Sequence, residues 1–158
     1  MKAVSITTIK KELQHSSTDD LVELCLRLSK FKKENKELLT YLLFEAHDET
    51  SYISSVKSEL DTLFDTINID SYHYIKKSIR KILRTLKKYA RYSLKKETEV
   101  ELLLHFCQRL KDFEPSIQNN VTLMNIYNRQ IVNIKKLVST LHPDLQYDYH
   151  LVLDELNL

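Results

Sequence analysis

The most restrictive feature of this 158-residue sequence is that it contains no glycine. Glycine is the usual residue where the backbone takes a positive φ, and two-residue β-hairpin turns depend on glycine or on Asn-Gly pairs. The two prolines, Pro115 and Pro143, both fall between segments with helical periodicity. The sequence therefore predicts an all-α fold rather than one built on tightly turned sheets.

Hydrophobic periodicity and capping residues predict about seven to eight antiparallel helices in a single all-helical domain, residues 1–158. The predicted helices cover about residues 7–14, 17–31, 35–46, 50–67, 71–94, 97–113 and 116–141, and a last one follows Pro143. Short connections favour either a helical bundle or a short α-solenoid of stacked helix pairs. Because the seventh helix has only a narrow polar edge, we expect it at the centre of the fold.

Burial of individual side chains follows from the same patterns. The predicted third helix is apolar nearly all round, so we expect neighbours to cover it on several sides. Cys25 and Cys107 lie on apolar faces of predicted helices, where small hydrophobic residues are usually buried. We therefore expect both to be reduced thiols in the core.

Three segments near the amino terminus resemble a known group of proteins. They are Ile9-Lys10-Lys11-Glu12-Leu13, residues 17–28, and the stretch from Asn35-Lys36-Glu37 through Leu42. Together they resemble the start of small uncharacterised bacterial helical proteins with HEAT-like helix pairs. The resemblance covers about a quarter of the chain, and it implies no activity that could be carried over.

The clearest functional signal is a strongly basic segment between Ser71 and Lys96, which has ten basic residues and no acidic one. The chain as a whole has a net charge of only +2, so the other residues together carry −8. On a helical wheel, the apolar residues of this segment occupy an arc of about 120° and the basic residues a separate arc of about 140°. The segment therefore predicts one long amphipathic helix with a wide cationic side.

We define the basic face of this helix by eight residues and take them as candidates for binding a partner or nucleic acid. They are Lys76, Lys77, Arg80, Lys81, Arg84, Lys87, Lys88 and Arg91. A helix of about 24 residues spans about 36 Å, a scale that matches phosphate backbones. Two alternatives remain. The face could simply be solvated, or the neighbouring residues 45–70, with net charge −6, could neutralise it within the fold or in a second copy.

Catalytic and cofactor sites are not indicated by any motif. Phosphate-binding loops are built on glycine, and neither Cys-x-x-Cys nor His-Glu-x-x-His occurs. His105 and Cys107 offer at most a fragment of a zinc site, which needs about four ligands. We therefore predict no enzyme, no cofactor and no metal. The alternative enzymatic hypothesis would place an unfamiliar site on the polar edge around Asn125, Arg129 and Asn133.

The function that we predict from the sequence is a non-enzymatic helical interaction or scaffold module that binds another protein or its own copy. The alternative is a nucleic-acid-binding accessory domain that uses the basic face of the helix at about residues 71–94. The sequence starts without an apolar leader segment and has no apolar run of about 18 residues. We therefore expect a cytoplasmic protein with no membrane partner, and no small-molecule substrate is evident.

Overall fold

The structure, a computed structural model, describes residues 1–157, and these contain helices and loops but no strand. Eight α-helices lie within them: α1 (Ile6–Gln14), α2 (Thr18–Phe31), α3 (Lys33–Thr40), α4 (Glu49–Asp65), α5 (Tyr72–Ser93), α6 (Lys96–Lys111), α7 (Val121–Val138) and α8 (Pro143–Glu155). A π-helical turn, Tyr41–Glu45, follows α3, and a 3₁₀ turn, Ile117–Asn119, precedes α7. The predicted all-α fold with about seven to eight helices is confirmed.

The chain divides into two compact units, an amino-terminal unit of residues 1–44 and a carboxy-terminal unit that begins at Glu45. In the amino-terminal unit, α2 and α3 pack against each other. A capping box starts α2, because Ser17 Oγ accepts from the Asp20 amide at 3.1 Å and Asp20 accepts from the Ser17 amide at 3.3 Å. Asn35 Nδ2 donates to the Leu28 carbonyl at 2.8 Å and ties the two helices together.

The expected burial of the amino-terminal helices is wrong except at Tyr41, which is buried. No residue of α1, α2 or α3 is buried, Cys25 is exposed, and Phe31 and Phe44 are 76% and 67% exposed. The third helix also ends earlier than predicted, since α3 gives way to the π-helical turn at Tyr41. The physical reason is size: a unit of three short helices supplies no second layer that could cover both sides of its apolar residues.

In the carboxy-terminal unit the central element is α6, which packs against α4, α5 and α7. Its buried residues occupy about two thirds of the helix circumference. They are Thr98, Val100, Leu102, Leu103, Leu104, Phe106, Cys107 and Leu110. The prediction that the seventh helix is central is therefore wrong: α7 buries one side, and Val132 on its other side is 67% exposed.

The start of the seventh helix also differs from the prediction, which began it near Ser116. The residues before Asn120 form the 3₁₀ turn instead, and Asn120 itself is extended, with φ of −138°. Its Oδ1 accepts from the amides of Thr122 at 3.1 Å and Leu123 at 3.2 Å. Asn120 therefore acts as an N-cap, and α7 begins at Val121.

Candidate functional site

The helix α5 forms the platform for the candidate site. It continues without interruption for 22 residues from Tyr72 to Ser93, which corresponds to about 33 Å. Its apolar side is anchored in the core, with Ile75, Ile79 and Leu86 fully buried. The helix ends at Leu94, which takes a left-handed conformation with φ of 58° that glycine usually provides. Core packing therefore fixes which side of α5 faces outward.

The eight residues of the basic face lie on α5, and most of their side chains are exposed. The exposed ones are Lys77, Arg80, Lys81, Arg84, Lys87 and Arg91. Lys76 and Lys88 are half-buried. The Lys88 ammonium lies 4.8 Å from the centre of the Tyr89 ring, a cation–π contact.

Seven of these eight residues have no acidic partner in the carboxy-terminal unit. Within its described residues, 45–157, no carboxylate lies at ion-pair distance from Lys76, Lys77, Arg80, Lys81, Arg84, Lys87 or Arg91. Their charges are also spaced three and four residues apart, where like charges on a helix repel one another. Burial of the apolar side of α5 keeps these basic side chains together despite their mutual repulsion. An anion bound along the basic face would reduce this repulsion.

Several acidic residues of α4 contact residues that do not belong to the basic face. Asp61 Oδ1 lies 2.7 Å from His105 Nε2 and 3.5 Å from Arg109 Nε, and Asp65 also pairs with Arg109. Glu59 accepts from the Tyr89 hydroxyl at 2.9 Å. At the start of α4, Glu49 pairs with Lys95 at 3.0 Å. The expectation that residues 45–70 neutralise the basic segment therefore holds for Lys95, which lies after α5 and outside the basic face, whereas Asp61 and Asp65 neutralise α6.

Cys107, the side chains that could bind a metal, and two tyrosines near the carboxy terminus all lie outside the basic face. Cys107 is fully buried, and burial raises the pKa of its thiol to about 12. Among residues 1–157, no three His, Cys, Asp or Glu side chains are grouped so that they could hold a metal ion. Near the carboxy terminus, Tyr149 donates to Glu101 Oε1 at 3.1 Å, while Tyr147 is 68% exposed. Burial, and secondarily Glu101, raises the pKa of Tyr149.

A cavity beside the basic face brings together residues that are distant in the sequence. A cavity of about 570 Å³ lies between α5, α6 and α7, and Lys87 and Arg91 of the basic face line it together with Arg129 and Asn133 of α7. Asn125, the third residue of the predicted polar edge, is not part of its lining. Gln130 also lines the cavity and was not singled out from the sequence. Only the packing of α5 against α6 and of α6 against α7 places these residues together.

No helix within residues 1–157 combines the length and the apolar character that crossing a bilayer requires. No protein-family model matches the chain, and comparisons with curated proteins and with solved structures found no significant match.

Proposed function

We propose that this protein is a non-enzymatic helical interaction module, and that the basic face of α5 is the surface that binds its partner. The observation that carries the proposal is the row of seven cationic side chains without an acidic partner in their own unit. A face that is merely solvated usually mixes both signs of charge, whereas α5 contains no acidic residue. This imbalance supports an anionic partner.

The partner we propose is the phosphate backbone of a nucleic acid. The basic face follows an uninterrupted helix of 22 residues, about 33 Å long, so it can contact several successive phosphates. Duplex DNA presents one charge per about 1.7 Å of its axis, and Lys and Arg contacts to it release counterions with little regard to sequence. Binding should therefore depend strongly on salt and weakly on base sequence.

Fluorescence anisotropy with a labelled duplex of about 20 base pairs tests this proposal at salt concentrations between about 50 and 200 mM. The test variant is Arg80→Glu/Arg84→Glu, and the matched control is Lys135→Glu/Lys136→Glu on α7. All four side chains are exposed, and both variants change the net charge equally. We expect the α5 variant to bind at least about tenfold more weakly, with a salt slope reduced by about two, and the α7 variant to change affinity less than about threefold.

Two results would count against the proposal. The first is that the unmodified protein does not bind the duplex even at the lowest salt concentration. The second is that the two double variants lose affinity equally, because binding would then follow net charge alone and not the basic face. Circular dichroism on each variant checks that the helix content is unchanged.

A protein partner is the second candidate, and the exposed apolar side chains of α2 favour it. Leu24, Leu28 and Phe31 are spaced four and three residues apart, so they share one side of this helix. They are 43%, 60% and 76% exposed, and clustered apolar exposure marks protein interaction sites. We propose self-association through this side. Sedimentation velocity should show a dimer that Leu28→Ser/Phe31→Ser converts to monomer, and a chain that sediments as a monomer at about 100 µM would eliminate it.

A further inference from the structure

The cavity between α5, α6 and α7 has the size of a small-molecule site. Its volume of about 570 Å³ falls within the range of about 300–1,000 Å³ that is typical of ligand pockets. Every residue of its lining belongs to the carboxy-terminal unit, and the residues come from three different helices and the α5–α6 connection. Its composition therefore shows which ligand chemistry would fit.

One part of the lining is cationic. Lys87 and Arg91 come from α5 and Arg129 from α7, and none of the three has a carboxylate partner within residues 45–157. Lys96 also lines the cavity. Its Nζ donates to the Thr140 hydroxyl at 3.1 Å, and because this partner is neutral, the contact leaves the positive charge of Lys96 in place. The start of α6 also borders the cavity, and the amides of its first turn form the positive end of the helix dipole. These groups favour an anion with several oxygen atoms, such as a phosphate group.

Another part of the lining accepts hydrogen bonds. Gln130 is only 6% exposed, and its Nε2 donates to the Ile126 carbonyl at 3.3 Å. Its Oε1 is buried without a hydrogen-bond partner, so a ligand in the cavity reaches this atom when the side chain turns towards it. A buried acceptor without a donor is unusual, since most such atoms are satisfied. Glu99, the one acidic residue of the lining, adds a second acceptor. A ligand that fits must therefore also offer hydroxyl or amine donors.

We propose that this cavity binds a phosphate monoester that carries hydroxyl groups. Lys87, Arg91 and Arg129 receive the phosphate, and the Gln130 side chain turns towards the ligand so that its Oε1 accepts from a hydroxyl. Two sources share this chemistry: a free sugar phosphate, and the phosphorylated end of a nucleic-acid strand lying on the basic face. The proposal does not depend on the proposed function, because Arg129 and Gln130 lie on α7 and not on the basic face.

Isothermal titration calorimetry on the full chain tests the site with ribose 5-phosphate, ribose and sulfate as probes. Ribose 5-phosphate should bind, and ribose should not. Arg129→Gln should weaken ribose 5-phosphate binding at least about tenfold, while Lys136→Gln, also an exposed cation of α7 but outside the cavity lining, should change it less than about twofold. Gln130→Met should weaken ribose 5-phosphate at least about fivefold without changing sulfate, which has no donor to offer.

Two oligonucleotides distinguish the sources. A single strand of about 12 nucleotides is compared with and without a 5′-phosphate. If the strand end is the source, the phosphorylated strand should bind at least about fivefold more tightly, and Arg129→Gln should remove this difference. If a free phosphate monoester is the source, the two strands should bind equally while ribose 5-phosphate remains sensitive to Arg129→Gln. Both results support the cavity and differ only in what fills it.

The inference is overturned if ribose 5-phosphate and the 5′-phosphorylated strand are both insensitive to Arg129→Gln. It is also overturned if sulfate binds as tightly as ribose 5-phosphate and Gln130→Met changes neither, because the cavity would then hold an adventitious ion only. Arg129 is exposed, so its variant remains informative if the buried Gln130→Met protein fails to fold. Loss of duplex binding in Arg80→Glu/Arg84→Glu reports on the proposed function alone, so the two failures can be told apart.

Discussion

Cys25 and Cys107 show how strongly the surroundings of a single residue decide its chemistry. Both cysteines lie on apolar helix faces in the sequence, yet Cys25 is exposed on α2 while Cys107 is fully buried in α6. Burial disfavours the charged thiolate, and it raises the pKa of Cys107 from 9.0 to about 12. Since the thiolate is the reactive form, burial protects Cys107 from alkylation by both access and charge.

We expect a single cysteine to react when the folded protein is treated with iodoacetamide near pH 8. Peptide mass spectrometry should find the label on Cys25, and Cys107 should be labelled only after denaturation. Cys25→Ser should leave a folded protein that takes up almost no label. Rapid labelling of Cys107 in the folded protein would show that the centre of α6 opens readily.

Tyr127 is a second buried residue whose surroundings raise its pKa. Its hydroxyl donates to the carbonyl of Leu156, and both residues are buried. Burial, with secondary contributions from Cys107 and Asp112, raises the pKa of Tyr127 from 10.0 to about 12. The hydrogen bond therefore joins α7 to the C-cap of α8 while the tyrosine is neutral.

Tyr127→Phe should lower the free energy of unfolding by about 1–3 kcal/mol near pH 7, because the Leu156 carbonyl loses its donor. The tyrosine's contribution is complete below pH 10, its unfolded pKa, and is lost as the pH rises towards about 12, its folded pKa. Urea denaturation at pH 8, 10 and 11 should therefore show the gap between the two proteins closing. A gap that stays constant with pH would contradict this account.

At the scale of helices, the boundaries depend on a few polar side chains. The Asn120 side chain accepts from two amides and starts α7 at Val121, although the apolar pattern before it continues without a gap. The same principle begins α2 at Thr18, after the capping box formed by Ser17 and Asp20. Asn120 was overlooked because an asparagine within an apolar pattern is also compatible with a continuous helix.

Asn120→Ala should therefore lower the free energy of unfolding by about 0.5–2 kcal/mol, the usual cost of removing an N-cap side chain. The neighbouring Asn119 is a matched control, because its side chain is exposed and makes no hydrogen bond within residues 45–157. Asn119→Ala should change stability by less than about 0.5 kcal/mol. Equal effects in the two variants, measured by urea denaturation, would mean that the cap contributes nothing.

Most helices could be predicted from the sequence because apolar periodicity and caps are local. The predicted basic helix at about residues 71–94 corresponds to α5 (Tyr72–Ser93), and the predicted last helix begins at Pro143. Which helix is central could not be predicted, since α6 and α7 are both rich in apolar residues and only packing distinguishes them. The basic face could be predicted, because it depends only on periodicity within one helix. The cavity could not, because only tertiary packing brings Gln130 of α7 close to Arg91 of α5.

For the molecule as a whole, buried side chains are concentrated in the carboxy-terminal unit. The α6 helix contains eight buried residues, while α1, α2 and α3 contain none. The free energy of local opening follows the number of buried contacts, so the two units should differ in how easily their backbone amides are exposed.

Hydrogen–deuterium exchange should reveal this difference. We expect peptides from α1–α3 to exchange at least about 100-fold faster than peptides from α6, whose amides require opening of the whole carboxy-terminal core. The carboxy-terminal unit supplies an internal comparison, because α8 has a single buried residue and should exchange at an intermediate rate. Uniform protection along the chain would contradict the burial pattern.

The separation of charge on this molecule also determines how it behaves on an ion-exchange column. A net charge of +2 alone would give weak retention on a cation-exchange resin near neutral pH. The side chains of α5 can nevertheless meet the sulfonate groups together, so the protein should adsorb in one orientation and elute late in a salt gradient. Arg80→Glu/Arg84→Glu should elute much earlier than Lys135→Glu/Lys136→Glu, although the two have identical net charge.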